Sequence, residues 1–286
     1  MKNSINIFLL RGISKMLFAL TLFILLTASA KNTNAQEAYT VLENGVLTFY
    51  YNDKKPEGAL PIQSDYTDAS WPEEVRNSVT KVVFDNSFKN YQPTSSAFWF
   101  YDFVNLTEIS GMNTNLNSEK ITNVKLMFCD CSSLTTLDLS GFNTSNITSM
   151  YGMFYGCSGL TSLDLSKFNT EKVTDMTAMF TYCKGLTTFD LSSFNTENVE
   201  TMGAMFEWCE NLSSLDLKHF NTKNVHNMYC MFRGCKSLTN LDLSNFNTEK
   251  LTNMYWMHSL RLVTMLTTQC AGMRMQSSRV KFRSLI

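Results

Sequence analysis

Proline is scarce in this sequence: four residues in 286, with only 12 glycines. That excludes a flexible or polyproline linker protein, which needs both in quantity. An excess of one charge is also missing. The formal net charge is -1, so nothing points to a nucleic-acid partner. Histidine occurs three times (His219, His226 and His258), and no Cys-x-x-Cys pair occurs. No ligand set is therefore spaced for zinc or a similar metal. No nucleophile elbow, phosphate-binding loop or paired-carboxylate motif is present. The expectation is a protein that is not an enzyme and uses no cofactor.

Long apolar runs are missing after residue 35. The one such run, MLFALTLFILLTASA at 16–30, follows Lys2, Arg11 and Lys15 and ends in small residues. A positive start, an apolar centre and an Ala-Ser-Ala or Thr-Asn-Ala end make residues 1–35 a secretory signal peptide, cleaved after Ala30 or Ala35. A membrane anchor is the competing reading, but the fully apolar part is about 11 to 15 residues where a span needs roughly 20. The first cysteine is Cys129, so none stands at the cleavage site to carry a lipid. The mature chain is expected to be exported, without a transmembrane span, to the cell surface, the outer envelope or the medium.

Self-similarity is what the sequence has in abundance. Leu-Asp-Leu recurs at 137–139, 163–165, 215–217 and 241–243, with Phe-Asp-Leu at 189–191. Met-Phe recurs from 127, 153, 179, 205 and 231, and Phe-Asn-Thr from 142, 168, 194, 220 and 246. Every step is 26 residues, and three sub-motifs stay in phase over five copies.

Residues 160–185, LTSLDLSKFNTEKVTDMTAMFTYCKG, represent one unit. Leu163 and Leu165 alternate with Ser162, Asp164 and Ser166, the period of a half-buried strand. Then the period changes. On a helix, Val173, Met176, Met179, Phe180 and Cys183 would share an arc of about 120°. Asn169 or Thr170 can cap such a helix and Gly185 can end it. The pattern thus predicts one short strand, a turn and one short helix per unit. No unit can bury its apolar face alone, so the units are expected to stack, with strands parallel along one side and helices along the other.

L-x-x-L-x-L, as in Leu160, Leu163 and Leu165, resembles the strand of a leucine-rich repeat. The 26-residue period with LDLSxFNT, V-T-x-M and MFxxC is similar to the repeats of BspA-like bacterial surface proteins, a family of Bacteroidetes and mycoplasmas, over about residues 95–257. The resemblance implies an α/β fold of right-handed leucine-rich-repeat solenoid type. One departure concerns Asn143, Asn169, Asn195, Asn221 and Asn247, which come one position later than usual, with Phe in the usual place. A phenylalanine ladder is therefore expected in the core.

Weaker copies extend the array toward the N-terminus, giving strand starts at 79, 106, 134, 160, 186, 212 and 238. The solenoid is expected to span 79–257 as about seven units, the first two degenerate. Before it, YTVL-EN-GVLTFYY carries Asn44-Gly45 between two strand-like runs, a hairpin signal. Residues 36–78 are read as an N-terminal β-hairpin cap, with a loop from Asp53 to Pro61. After Met257 the pattern fails: His258 stands where Phe is due, Arg261 where Cys is due and Thr264 where Leu is due. Residues 258–286 form an irregular tail with five basic residues and no acidic one. A divergent capping helix through Leu260, Val263 and Leu266, or a shifted reading frame near residue 258, would account for it.

Two rows carry the chemistry. Cys131, Cys157, Cys183, Cys209 and Cys235 hold one place on the apolar stripe and are expected to be buried free thiols acting as small hydrophobes. Asp138, Asp164, Asp190, Asp216 and Asp242 are expected to point outward, stacked about 4.8 Å apart. Like charges at that spacing repel by roughly 1 kcal/mol per neighbour in water. A calcium ion or basic ligand would relieve this, and so would salt with the flanking Ser, Thr and Lys218. The candidate partner-binding face comprises Thr136, Asp138 and Ser140; Ser162, Asp164 and Ser166; Thr188, Asp190 and Ser192; Ser214, Asp216 and Lys218; and Asn240, Asp242 and Ser244. Such a surface suits a large partner held by many weak contacts. The family resemblance implies a surface adhesin or interaction module for host extracellular-matrix proteins or other cell surfaces. The alternatives are a non-adhesive structural envelope component and a carbohydrate-binding accessory protein. Aromatic rows on the exposed strand face would favour the last, and the outward positions are mostly Ser, Thr and Asp.

Overall fold

The computed structural model describes residues 35–62 and 71–257. The expected signal peptide, but for Ala35, and the basic tail lie outside the described residues.

The N-terminal part is built on a hairpin. Strands β1 (Glu37–Glu43) and β2 (Val46–Asn52) pair antiparallel with Thr40 opposite Phe49. Asn44 at φ 50° and Gly45 at φ 80° make the tight turn, which needs left-handed backbone at both residues. Where the sequence suggests only a loop, β3 (Leu60–Pro61) adds to the free edge of β1. Proline is tolerated there because an edge strand need not donate on its outer side. On the other side β2 pairs parallel with β4 (Lys81–Phe84), and β4 parallel with β5 (Glu108–Ser110). The mixed sheet therefore runs β3-β1-β2-β4-β5. Helix α1 (Glu73–Ser78), a 3₁₀ turn (Asn86–Asn90) and helix α2 (Met112–Asn115) are the helical pieces among the described residues. Phe49, Phe84, Phe88, Trp99 and Phe100 close one aromatic cluster, and the Trp71 indole donates to the Trp99 carbonyl at 2.8 Å.

The expected architecture is corrected here. The chain is a mixed α/β protein with a mixed sheet and few helices, not a regular leucine-rich-repeat solenoid. Between residues 116 and 257 the described chain has no helix. Its only strand pair there is β6 (Thr188–Phe189) with β7 (Ser214–Leu215), supplemented by isolated parallel bridges.

Backbone geometry explains the missing helices. Ala178 and Ala204 sit at φ 56° and 57°, and Tyr182 and Trp208 at φ 60° and 57°. A left-handed residue every four positions ends any helix at once. Successive N–H groups then diverge. Ala178, Phe180 and Tyr182 donate to Gly203, Met205 and Glu207 of the next unit at 2.8–2.9 Å, while Met179, Thr181 and Cys183 close four-residue β-turns on Met176, Ala178 and Phe180. Successive β-turns bury nearly the same positions as a helix, which is why the two cannot be told apart by spacing. Val173, Met176, Met179, Phe180 and Cys183 are all fully buried.

The short strands have an equally local cause. The Asp164 carboxylate accepts the Ser166 N–H at 2.9 Å, and the Leu165 carbonyl accepts the Ser193 hydroxyl at 2.9 Å. Both groups are thereby withdrawn from a ladder. The units still register on one another, through bridges Asn123–Ser149–Asp175–Thr201–Asn227–Asn253, each 26 residues on.

Phenylalanine does form ladders. Phe142, Phe168, Phe194, Phe220 and Phe246 are buried, and a second row, Phe128–Phe154–Phe180–Phe206–Phe232, stacks at 5.6–5.8 Å. The neighbouring asparagines instead turn outward to cap turns, as Asn169 does for the Glu171 N–H at 3.0 Å. The buried hydrogen-bonded row belongs to Thr144, Thr170, Thr196 and Thr222. Thr170 donates to the Asn195 carbonyl at 2.9 Å, and its row neighbours repeat that bond.

Candidate functional site

All fifteen residues of the anticipated binding face are exposed, from Thr136 to Ser244. Their arrangement is more rigid than a strand face would be. In every unit one aspartate oxygen caps the N–H two residues on: Asp138 to Ser140, Asp164 to Ser166, Asp190 to Ser192, Asp216 to Lys218 and Asp242 to Ser244, all at 2.9–3.0 Å. This is an Asx turn, and it fixes the carboxylate; at Asp138 the second oxygen also accepts from the Asn113 amide at 2.6 Å. Bonds from the backbone N–H and hydroxyl of Ser140 and Ser166 hold Asp138 and Asp164 below the usual carboxylate range. The Ser192 and Ser244 hydroxyls and N–H groups do the same for Asp190 and Asp242. These bonds favour the charged form, so Asp138, Asp164, Asp190 and Asp242 stay ionised at neutral pH.

The face is not featureless. Around β6 and β7 a shallow groove of about 440 Å³ is lined by Phe189, Ser214, Leu215, Asp216, Lys218 and Asp242, among others. Lys218 replaces the usual serine and places one cation among the carboxylates. Among the described residues no group of three or more His, Cys, Asp or Glu is gathered to hold a metal ion.

The cysteine row is buried and unpaired. Desolvation pushes Cys235 up to about 12 and Cys157 higher still, so these thiols are protonated and unreactive. They are more than small hydrophobes. Cys157, Cys209 and Cys235 each donate to a phenylalanine carbonyl of the preceding unit, Phe128, Phe180 and Phe206, at 3.0 Å.

A second surface row escapes sequence reasoning. Tyr182 and Trp208 stack at 6.2 Å, and the Arg233 guanidinium lies 5.6 Å from both Trp208 and Trp256. Beside it Glu210 accepts from Lys184 at 2.8 Å and from Lys236 at 2.5 Å, which lowers its carboxyl to about 2. Gly234 makes room: at φ 75° it lacks a Cβ that would lie 2.4 Å from Trp208 Cε3. At that one unit position the residues run Gly156, Tyr182, Trp208 and Gly234, and the change from large residue to glycine was the available signal. These rings and cations cover one another and act as clamps between units.

The array and its exposed rows form a repetitive surface. A family model described as "Mycoplasma protein of unknown function, DUF285" matches residues 94–214 and 161–261, together more than half of the chain. The chain belongs to that family. No curated protein and no solved structure matches it. Among the described residues no helix is long and apolar enough to cross a membrane.

Proposed function

We propose that the chain is an exported or surface-displayed, non-enzymatic interaction protein that binds large protein partners through its Asp and Ser rows. The observation that carries this reading is one rigid, charged, outward turn repeated in five successive units, from Asp138 to Asp242. The turns at Asp164, Asp190, Asp216 and Asp242 each offer a carboxylate oxygen with at least one neighbouring hydroxyl. A single such contact is weak, but five in fixed register add as tethered sites do. The likeness to BspA-like surface proteins supports the reading and points to extracellular-matrix proteins or other cell surfaces as partners.

The test is a pull-down with the mature chain against matrix proteins and intact bacteria, beside a variant carrying Asp164→Asn, Asp190→Asn, Asp216→Asn and Asp242→Asn. Asparagine keeps the turn cap and removes the charge, so the variant should fold and lose binding. Wild-type chain that captures nothing while lying uniformly in the envelope would overturn the proposal in favour of a structural role.

A further inference from the structure

We propose a second binding site, for a neutral linear glycan, in a groove that the Asp and Ser rows do not touch. The groove has a volume of about 910 Å³ and crosses several units. Two of its rows repeat at 26-residue steps: Thr148, Thr174, Glu200 and His226, and Lys172, Asn198, Asn224 and Lys250, with Glu171 beside them. Three steps at the usual spacing of neighbouring strands make it roughly 14 Å long, the reach of a short chain lying along the stack.

The walls are preorganised. Asn198 and Asn224 donate from their amides to the Glu171 and Glu197 carbonyls, each at 2.8 Å. Lys172 and Lys250 are drawn onto the Asn146 and Asn224 amide oxygens at 2.8 and 2.7 Å. What stays without a protein partner among the described residues is mostly acceptor: the Glu171 and Glu200 carboxylates and the Asn198 amide oxygen. The Thr148 hydroxyl and the His226 imidazole complete the set.

The ligand class follows from what these groups need. A surplus of acceptors calls for a ligand rich in donors. Two carboxylates against two ammonium groups leave no net charge, which disfavours a polycation or a polyanion. No apolar residue lines the groove, so an extended peptide would find no pocket for its alternate side chains. A chain of sugar hydroxyls meets all three conditions. No Phe, Tyr or Trp lines the groove either, so affinity rests on hydrogen bonds and should be modest.

Titration calorimetry on the mature chain tests this with neutral β-glucan, xylan and mannan oligosaccharides, and with oligolysine and a sulfated polysaccharide as comparators. One neutral oligosaccharide should bind with little dependence on salt. Glu200→Ala and His226→Ala should each weaken it about tenfold, the loss of one hydrogen bond to a charged or polar partner. Glu200→Gln, which keeps an acceptor, should restore most of the affinity. The four-asparagine variant of the Asp row should bind the glycan as wild type does. The proposal is overturned if no neutral oligosaccharide binds, if the alanine variants bind like wild type, or if only the charged comparators bind.

Discussion

The Thr196 hydroxyl joins both backbone groups of Asn221 in the next unit, donating to its carbonyl at 3.2 Å and accepting its N–H at 2.8 Å. The threonine is 1% exposed. Thr196→Val keeps the shape and leaves the Asn221 N–H without a partner. The cost should be about 1–3 kcal/mol in urea unfolding. Thr196→Ser keeps the hydroxyl and should cost less.

The cysteine row should be silent toward alkylating reagents in the folded state. Cys131, Cys157, Cys183, Cys209 and Cys235 are fully buried, and desolvation raises every one of them. Mass spectrometry after brief treatment with iodoacetamide should find these five unmodified without denaturant and modified with it. Labelling of the native row would disprove their burial.

Glu210 makes the stack sensitive to acid. Its carboxyl is lowered from 4.5 to about 2 by Lys184 and Lys236. A lowered carboxyl stabilises the folded chain above its ordinary value and loses that contribution as pH falls through the folded one. Melting temperature should therefore drop between about pH 4.5 and 2. Glu210→Gln should flatten part of that drop, and the side chain's exposure to solvent keeps the effect small.

Ala204 should tolerate glycine and reject valine. It is 2% exposed at φ 57°. A left-handed non-glycine residue already costs roughly 1–2 kcal/mol, and a β-branched side chain there adds crowding. Ala204→Val should lower stability by about 2 kcal/mol or more by thermal unfolding. Ala204→Gly should be near neutral.

The sequence made the period, the buried set and the exposed face legible, because each depends only on which residues recur at which spacing. Leu160, Met176 and Phe180 are buried for the reason their spacing gives, and Asp164 is exposed for the same reason. The backbone was not legible. Val173, Met176, Met179, Phe180 and Cys183 satisfy a helix and a run of β-turns alike. What decides between them is the left-handed backbone at Ala178 and Tyr182, residue types that carry no such signal. The threonine ladder is not legible from spacing, because Asn169 and Thr170 are adjacent polar residues in every copy and only burial of the smaller Thr170 separates them. The hairpin, by contrast, was legible from Asn44-Gly45, since few other residue pairs accept that turn.

The pairing of Trp208 with Gly234 bears on how such an array can change through time. Core positions are nearly identical from unit to unit, so a duplicated or deleted copy would find its interior contacts already made. The exterior is not interchangeable. Trp208 needs a glycine above it, and Tyr229 lies against Gly203, where a Cβ would come within 2.5 Å of the ring. Shuffling the copies would set side chain against side chain. Their order along the chain is thus part of the inherited information, as the order of words is in a sentence built from one vocabulary.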